Sequence, residues 1–347
     1  MLLRTSNKLL ASTFPTTLFR SSTSHLLSTR LSLSTRLSIP ALYSHSIRGI
    51  PVVVRPFSLQ SSSSSSHSTT TSTPPYGPDA VFHALALQSF QRGNRESSSI
   101  FLSCVFGGVL LSFGCACFVM ISGGSPTLQK ENPGLHKLIG GLVFPIGLGM
   151  ILLNGGELVT SNFFLCSLPI LSPQSIISGS TGNGTLSNAI RIWSASLAGN
   201  AIGSVVVAFA CSDLLFSSEL HSNWVAALAE TKCRLGPGVV LIKAIGANFL
   251  VNVAVLSSAS ATTPGAKLAA LWGPICVFVV LGLEHSVANM FLIPLGIFRG
   301  AKVKPEEAIT MNIIPAVIGN LLGALLLVQL KVNPAQYATV ASKLFVK

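Results

Sequence analysis

From residue 98 onward the chain alternates long apolar runs with short polar interruptions. About 20 apolar residues cover the hydrocarbon core of a bilayer as a helix. Six runs reach that length, at 98–121, 138–171, 189–210, 239–258, 268–298 and 309–330. The pattern predicts an all-α integral membrane protein with six transmembrane helices. The second and fifth runs are too long for one plain helix and carry polar residues halfway along, which predicts that both are broken.

Those two runs also match each other. Pro133-Gly-Leu-His-Lys137-Leu138 is echoed by Pro264-Gly-Ala-Lys267-Leu268, and Pro145 by Pro274. Gly155-Gly-Glu157-Leu-Val-Thr-Ser-Asn162 is echoed by Gly282-Leu-Glu284-His-Ser-Val-Ala-Asn289. The spans that follow share a small-residue motif, Gly199-Asn-Ala-Ile-Gly203 and Gly319-Asn-Leu-Leu-Gly323. Four matches in one order define an internal repeat. Each half holds three spans, an odd number, so the second copy enters the membrane from the opposite side and the repeats are inverted. Paired interrupted helices in inverted halves point to a transport site at the midplane, and GxxxG spacing lets helix backbones approach closely.

Irregular backbone persists at membrane depth only where it packs in protein or lines a polar cavity, because each unpaired N–H or C=O costs several kcal/mol in lipid. The two breaks therefore imply a shared central cavity, with half-helix N-termini presenting partial positive charge to an anion. Glu157 and Glu284 sit at the breaks, where each carboxylate is expected to accept hydrogen bonds from the freed backbone amides; Asn162 and Asn289 are expected to tie down the loop ends. His285 has Leu158 as its repeat partner, so symmetry does not account for it. An imidazole there can donate a hydrogen bond or a proton to a passing anion. Thr160 offers a hydroxyl from the other break.

Composition supports the membrane reading: mean hydropathy is +0.64, and 9% of residues are charged, against roughly 25% in soluble domains. The net charge of +12 is unevenly placed. Seven basic residues and no acidic ones lie within 1–78, leaving 15 basic and 10 acidic side chains for the rest. That distribution removes the main support for nucleic-acid binding. The Arg-, Ser- and Leu-rich start reads as an organelle transit peptide, followed by a Ser/Thr/Pro-rich linker to about residue 80. Arg55-Pro-Phe-Ser58 resembles a mitochondrial processing site. Residues 81–97 read as a pre-membrane segment, 98–330 as the transport domain and 331–347 as a polar tail. The seven cysteines form no CxxC pair and fit a packing role better than a metal site or disulfide frame. Neither a metal nor another cofactor is implied.

Phe144-Pro-Ile-Gly-Leu148, Gly156-Glu-Leu-Val-Thr-Ser-Asn162, Glu284-His-Ser-Val-Ala-Asn289-Met-Phe-Leu-Ile-Pro294 and Asn312-Ile-Ile-Pro315 with Gly319-Asn-Leu-Leu-Gly323 resemble the formate/nitrite transporter family over about residues 90–330. The resemblance implies an aquaporin-like protomer, a homopentamer with one pore per protomer, and small monovalent anions such as nitrite or formate as substrates. Hydrosulfide and short monocarboxylates are further substrates of the family. It would make His285 the central pore histidine, Thr160 its hydroxyl partner and Asn248 a third polar group in the same cavity. Phe144, Leu148 and Phe278 would form one apolar constriction and Leu158 would belong to the other. Lys232 and Lys267 would draw anions into the vestibules. Asn252, four residues after Asn248, departs from the family pattern and adds a polar group to that helical face.

Two rivals weigh against this reading. A neutral-solute channel of aquaporin type needs Asn-Pro-Ala at both half-helix starts, whereas the chain's one copy, Asn333-Pro-Ala335, follows the last span. A membrane enzyme needs a nucleophile or metal set, and no HExxH, G-x-S-x-G or paired intramembrane aspartate occurs. After import, an organelle inner membrane is the expected location.

Overall fold

The computed structural model describes residues 78–171 and 186–332, and every regular element among them is helical. In chain order these are α1 (Pro78–Arg92), α2 (Ser97–Gly123), α3 (Pro126–Glu131), α4 (Pro133–Val143), α5 (Ile146–Asn154), α6 (Val159–Leu171), α7 (Leu186–Leu215), α8 (Glu219–Arg234), α9 (Pro237–Ala259), α10 (Pro264–Val280), α11 (Ser286–Phe298), α12 (Pro305–Ala308), a π-helical turn (Ile309–Ile313) and α13 (Ile314–Val332).

Five helical stretches are long and apolar enough to cross a bilayer: Ser97–Gly123, Pro133–Asn154, Leu186–Leu215, Pro237–Ala259 and Pro305–Val332. The fifth crossing is a composite of α10 and α11, of 17 and 13 residues, which completes the six. Both broken spans start alike, with proline in the first turn and a side-chain cap. Asn132 accepts from the Leu135 amide and Thr263 from the Ala266 amide. Both break at a left-handed glycine, Gly155 (φ 77°) and Gly282 (φ 63°), a conformation that glycine adopts without steric penalty. The prolines mark something else. Pro145 lies where α4 gives way to α5, the chain staying in helical conformation with one hydrogen bond missing, whereas Pro274 sits inside α10.

The small-residue motifs set the helix pairing. α7 packs along α2, and α13 along α9. A Cβ on Gly203 would lie 2.2 Å from the Val105 carbonyl oxygen, and one on Gly323 would lie 2.2 Å from that of Ile245. Only glycine permits these approaches. The half-helices then cross over: α6 packs on α13 and α11 on α7, so each half-helix rests on the closing span of the other repeat. Large apolar side chains such as Leu102, Phe209, Leu214 and Ile242 are exposed on the outer faces, as a lipid-facing or subunit-facing surface requires.

Two elements were not legible as such. Part of the segment expected to precede the membrane passively, 81–97, belongs to α1, whose Val81, Phe82, Leu85 and Ala86 are buried in the main core. Its Ser89 hydroxyl donates to the Leu165 carbonyl. The amphipathic α8 lies between the third and fourth spans, capped by Ser218. The transit-peptide and linker expectation for 1–80, and the tail with Asn333-Pro-Ala335, fall almost wholly outside the described residues.

Candidate functional site

The break backbones are held by two asparagines inside the GxxxG motifs. Asn200 accepts from the Val159 amide at 2.7 Å and donates to the carbonyls of Cys104 (2.7 Å) and Glu157 (2.9 Å). Asn320 accepts from the Ser286 amide at 2.8 Å and donates to the carbonyls of Ala244 (2.8 Å) and Glu284 (3.1 Å). Both carboxamides are fully buried. The first amide of each half-helix, an orphan donor by position, is thereby satisfied inside the protein.

This corrects the expectation that the glutamate carboxylates accept from the freed amides. Glu157 instead pairs with Arg92 at 2.8 Å and with Arg95, and takes a bond from Asn162. Glu284, 2% exposed, receives Lys232 Nζ at 3.0 and 3.1 Å, Asn289 at 2.7 Å and Asn312 at 3.2 Å. Asn162 and Asn289 act on the break loops through those carboxylates, and each also bonds a neighbouring span, through Ser196 and Asn312 respectively. Asn312 belongs to the π-helical turn, a local widening that recurs at functional sites.

Between these frames the two breaks meet. His285 is the cap of α11: its Nδ1 accepts from the Ala288 amide at 3.2 Å. An Nδ1 that accepts leaves the proton of the neutral ring on Nε2, and Nε2 lies 3.1 Å from Thr160 Oγ1. The ring thus presents its N–H to a hydroxyl of the opposite repeat. Asn248 donates to the carbonyls of Thr160 (3.1 Å) and Asn320 (2.6 Å), so it lies one hydrogen bond behind Thr160. Asn252 donates back to the Asn248 carbonyl at 2.8 Å.

Three cavities follow one another through the molecule. On the side of the first break, a cavity of about 670 Å³ is bordered by Arg92, Arg95, Glu157, Leu158 and Lys267 among others. A central space of about 10 Å³ is bordered by Phe144, Leu148, Leu158, Phe278 and His285, with Leu111, Val251 and Ile275. A third, of about 100 Å³, is bordered by Lys232, Phe144, Phe278, Gly282 and His285 among others. Leu158 belongs to the first and second walls; Phe144 and Phe278 belong to the second and third. The rings of Phe144 and Phe278 meet edge to face at 5.5 Å, and Phe278 lies 5.9 Å from the His285 ring. The central space admits about one water at most.

The sequence pattern thus brings together His285, Thr160 and the four apolar residues assigned to constrictions. Lys267 and Lys232 border different outer cavities, with Lys232 committed to Glu284. Four residues escaped sequence reasoning. Asn200 and Asn320 stood in plain view inside a motif read for its glycines; Arg92 and Arg95 preceded the first apolar run. The signal for the arginines was Glu157 itself, since a carboxylate at membrane depth requires a cationic partner.

Comparison with known proteins agrees with this architecture. The sequence profile of the formate/nitrite transporter family matches residues 79–332. The chain is 32% identical over 255 residues to the uncharacterized transporter YrhG of Bacillus subtilis, covering 73% of this chain and 91% of that protein. It is 32% identical to a probable formate transporter of Methanothermobacter thermautotrophicus, covering 64% and 82%. It is 29% identical to the formate channel BtFdhC of Bacillus thuringiensis, covering 71% and 90%. Among solved structures, a channel of the same family aligns with a TM-score of 0.63 at 22% identity over 74% of this chain and 98% of its own. A pentameric formate channel with formate bound aligns at 0.58 and 24% identity over 71% and 97%. The chain belongs to the formate/nitrite transporter family: it is an integral multi-pass membrane protein with the inverted-repeat channel fold, and it is not an enzyme.

Proposed function

We propose that this chain is a channel for small monovalent anions, formate or nitrite foremost, in which His285 and Thr160 meet the permeant between two apolar constrictions. The observation that carries the reading is the 3.1 Å contact between His285 Nε2 and Thr160 Oγ1, made beside a central space that His285 borders together with Phe144, Leu148, Phe278 and Leu158. A bare anion pays heavily to enter so dry a space. A donor N–H waiting there, with a hydroxyl beside it, offsets part of that cost by sharing its proton through a hydrogen bond. Phe144, Leu148, Phe278 and Leu158 narrow the path to a space of about 10 Å³, which favours small permeants.

The test is uptake into vesicles containing the full chain. Formate or nitrite is expected to enter faster than into protein-free vesicles, with glycerol entry unchanged. Glycerol entry without anion entry would replace this reading by a neutral-solute channel. Two further parts of the proposal have their own support. The exposed apolar faces of the protomer and the pentameric state of a structural relative favour a homopentamer, which native mass measurement checks. The Arg- and Ser-rich segment without acidic residues favours import into an organelle inner membrane, mitochondrial or plastid, which a fluorescent fusion locates.

A further inference from the structure

The charges around the two breaks add up in an unexpected way. Lys232 lies against both oxygens of Glu284, so this pair is neutral and offers an arriving anion little net attraction. A second cation stands nearby. Lys243 stands in the second turn of the apolar span α9 and is partly exposed, an ionisable residue in a membrane span. Its Nζ donates to the Gly282 carbonyl at 3.2 Å, and Gly282 borders the cavity on that side.

The repeat gives Lys243 a counterpart. Asn200 donates to the Cys104 carbonyl and Asn320 to that of Ala244, so Cys104 and Ala244 correspond, and their preceding neighbours Ser103 and Lys243 correspond too. Ser103 Oγ receives Arg95 Nη2 at 3.1 Å, and Arg95 is the second cation on Glu157. The same position of the fold therefore meets a positive charge in both halves. In the first it is a guanidinium from the turn between α1 and α2; in the second it is the side chain of the position itself. Arg92, Arg95 and Glu157 sum to one positive charge, and so do Lys232, Lys243 and Glu284.

We propose that Lys243 is a specificity-determining residue: its charge, held against the second break, supplies the net positive potential that draws anions to that mouth, while Lys232 serves to neutralise Glu284. This rests on the anion-channel reading above. The rival role is structural, a donor capping the Gly282 carbonyl.

Vesicles carrying the full chain, its Lys243→Gln variant, which keeps a donor for that carbonyl, and its Lys243→Arg variant, which keeps the charge, separate the two. Formate uptake is measured at low and high ionic strength set with an impermeant salt, since screening lengths fall from about 30 Å at 0.01 M to about 3 Å at 1 M. The wild type and Lys243→Arg are expected to slow several-fold as salt rises. Lys243→Gln is expected to be several-fold slower at low salt and to show a clearly shallower salt dependence, the remainder belonging to the charge at the first break. Wild-type rate and salt slope in Lys243→Gln, or equal loss in both variants, overturns the proposal. So does a wild-type rate independent of salt, which needs no variant to fold. Wild-type uptake no faster than protein-free vesicles overturns the channel reading itself.

Discussion

At the first break, Asn200 pins the backbone, Arg92 at the end of α1 and Arg95 from the turn after it neutralise Glu157, and the side chain turned to the central space is Leu158. At the second break, Asn320 pins the backbone, one lysine from α8 neutralises Glu284, and the side chain is His285. The frames are near copies; what they present is not. Burying a polar frame twice is expensive unless its groups are paired; here Asn200, Asn320 and both carboxylates pair in both halves, while Asn162 Oδ1 accepts from Arg92 and its counterpart Asn289 Oδ1 has no partner among the described residues. The repetition builds the frame of the cavity, and the proposed chemistry falls on positions where the copies differ, His285 against Leu158 and Thr160 against Val287.

The comparison can be broken first at the asparagines. Asn320→Ala and Asn200→Ala each strip three buried partners, worth about 1–3 kcal/mol apiece. Each is expected to cost on the order of 5 kcal/mol, read as loss of assembled protein or a large drop in detergent melting temperature. Equal effects in the two variants would support equivalent frames. A large effect in one alone would mean that only that break is held this way.

The carboxylates should respond unequally. Lys232→Met leaves Glu284, at 2% exposure, with no cation, a change of the kind that costs about 3–5 kcal/mol. Arg95→Met leaves Glu157 still paired with Arg92 and is expected to cost about 1 kcal/mol. Melting temperatures of the two variants check the ordering; the reverse order would contradict the pairing described here. Between these falls Gly323→Ala, whose new methyl must displace the Ile245 carbonyl at about 1–3 kcal/mol, with Gly203→Ala expected to match it.

Much of the frame could be read from the sequence because it is written twice. Glu157 and Glu284, the flanking glycines and the paired GxxxG motifs drew attention to each other, and the glycines act as their spacing implied. The asparagines were invisible as structural centres because nothing in a linear motif says where a carboxamide's three hydrogen bonds go. That is settled by segments 34 to 96 residues away, such as α2 and the starts of α6 and α11. The freed amides were assigned to the nearest acceptors in sequence, the glutamates, whereas tertiary packing brought better-aimed acceptors from the next span. Arg92 and Arg95 escape a linear reading for a related reason: α1 and the turn after it are not apolar enough to register as a span, and the burial of α1 depends on its packing against α6. His285 was legible because symmetry failed there.

The most direct test therefore copies the first break into the second with His285→Leu, making it match Leu158. The amide of Ala288 loses its cap, an effect of about 1 kcal/mol, and the protein should remain assembled. In vesicles, formate uptake measured across a range of pH is expected to fall at least tenfold and to lose the wild-type pH profile. Uptake at the wild-type rate with the wild-type profile would contradict the claim that the unmatched histidine gives this channel its chemistry.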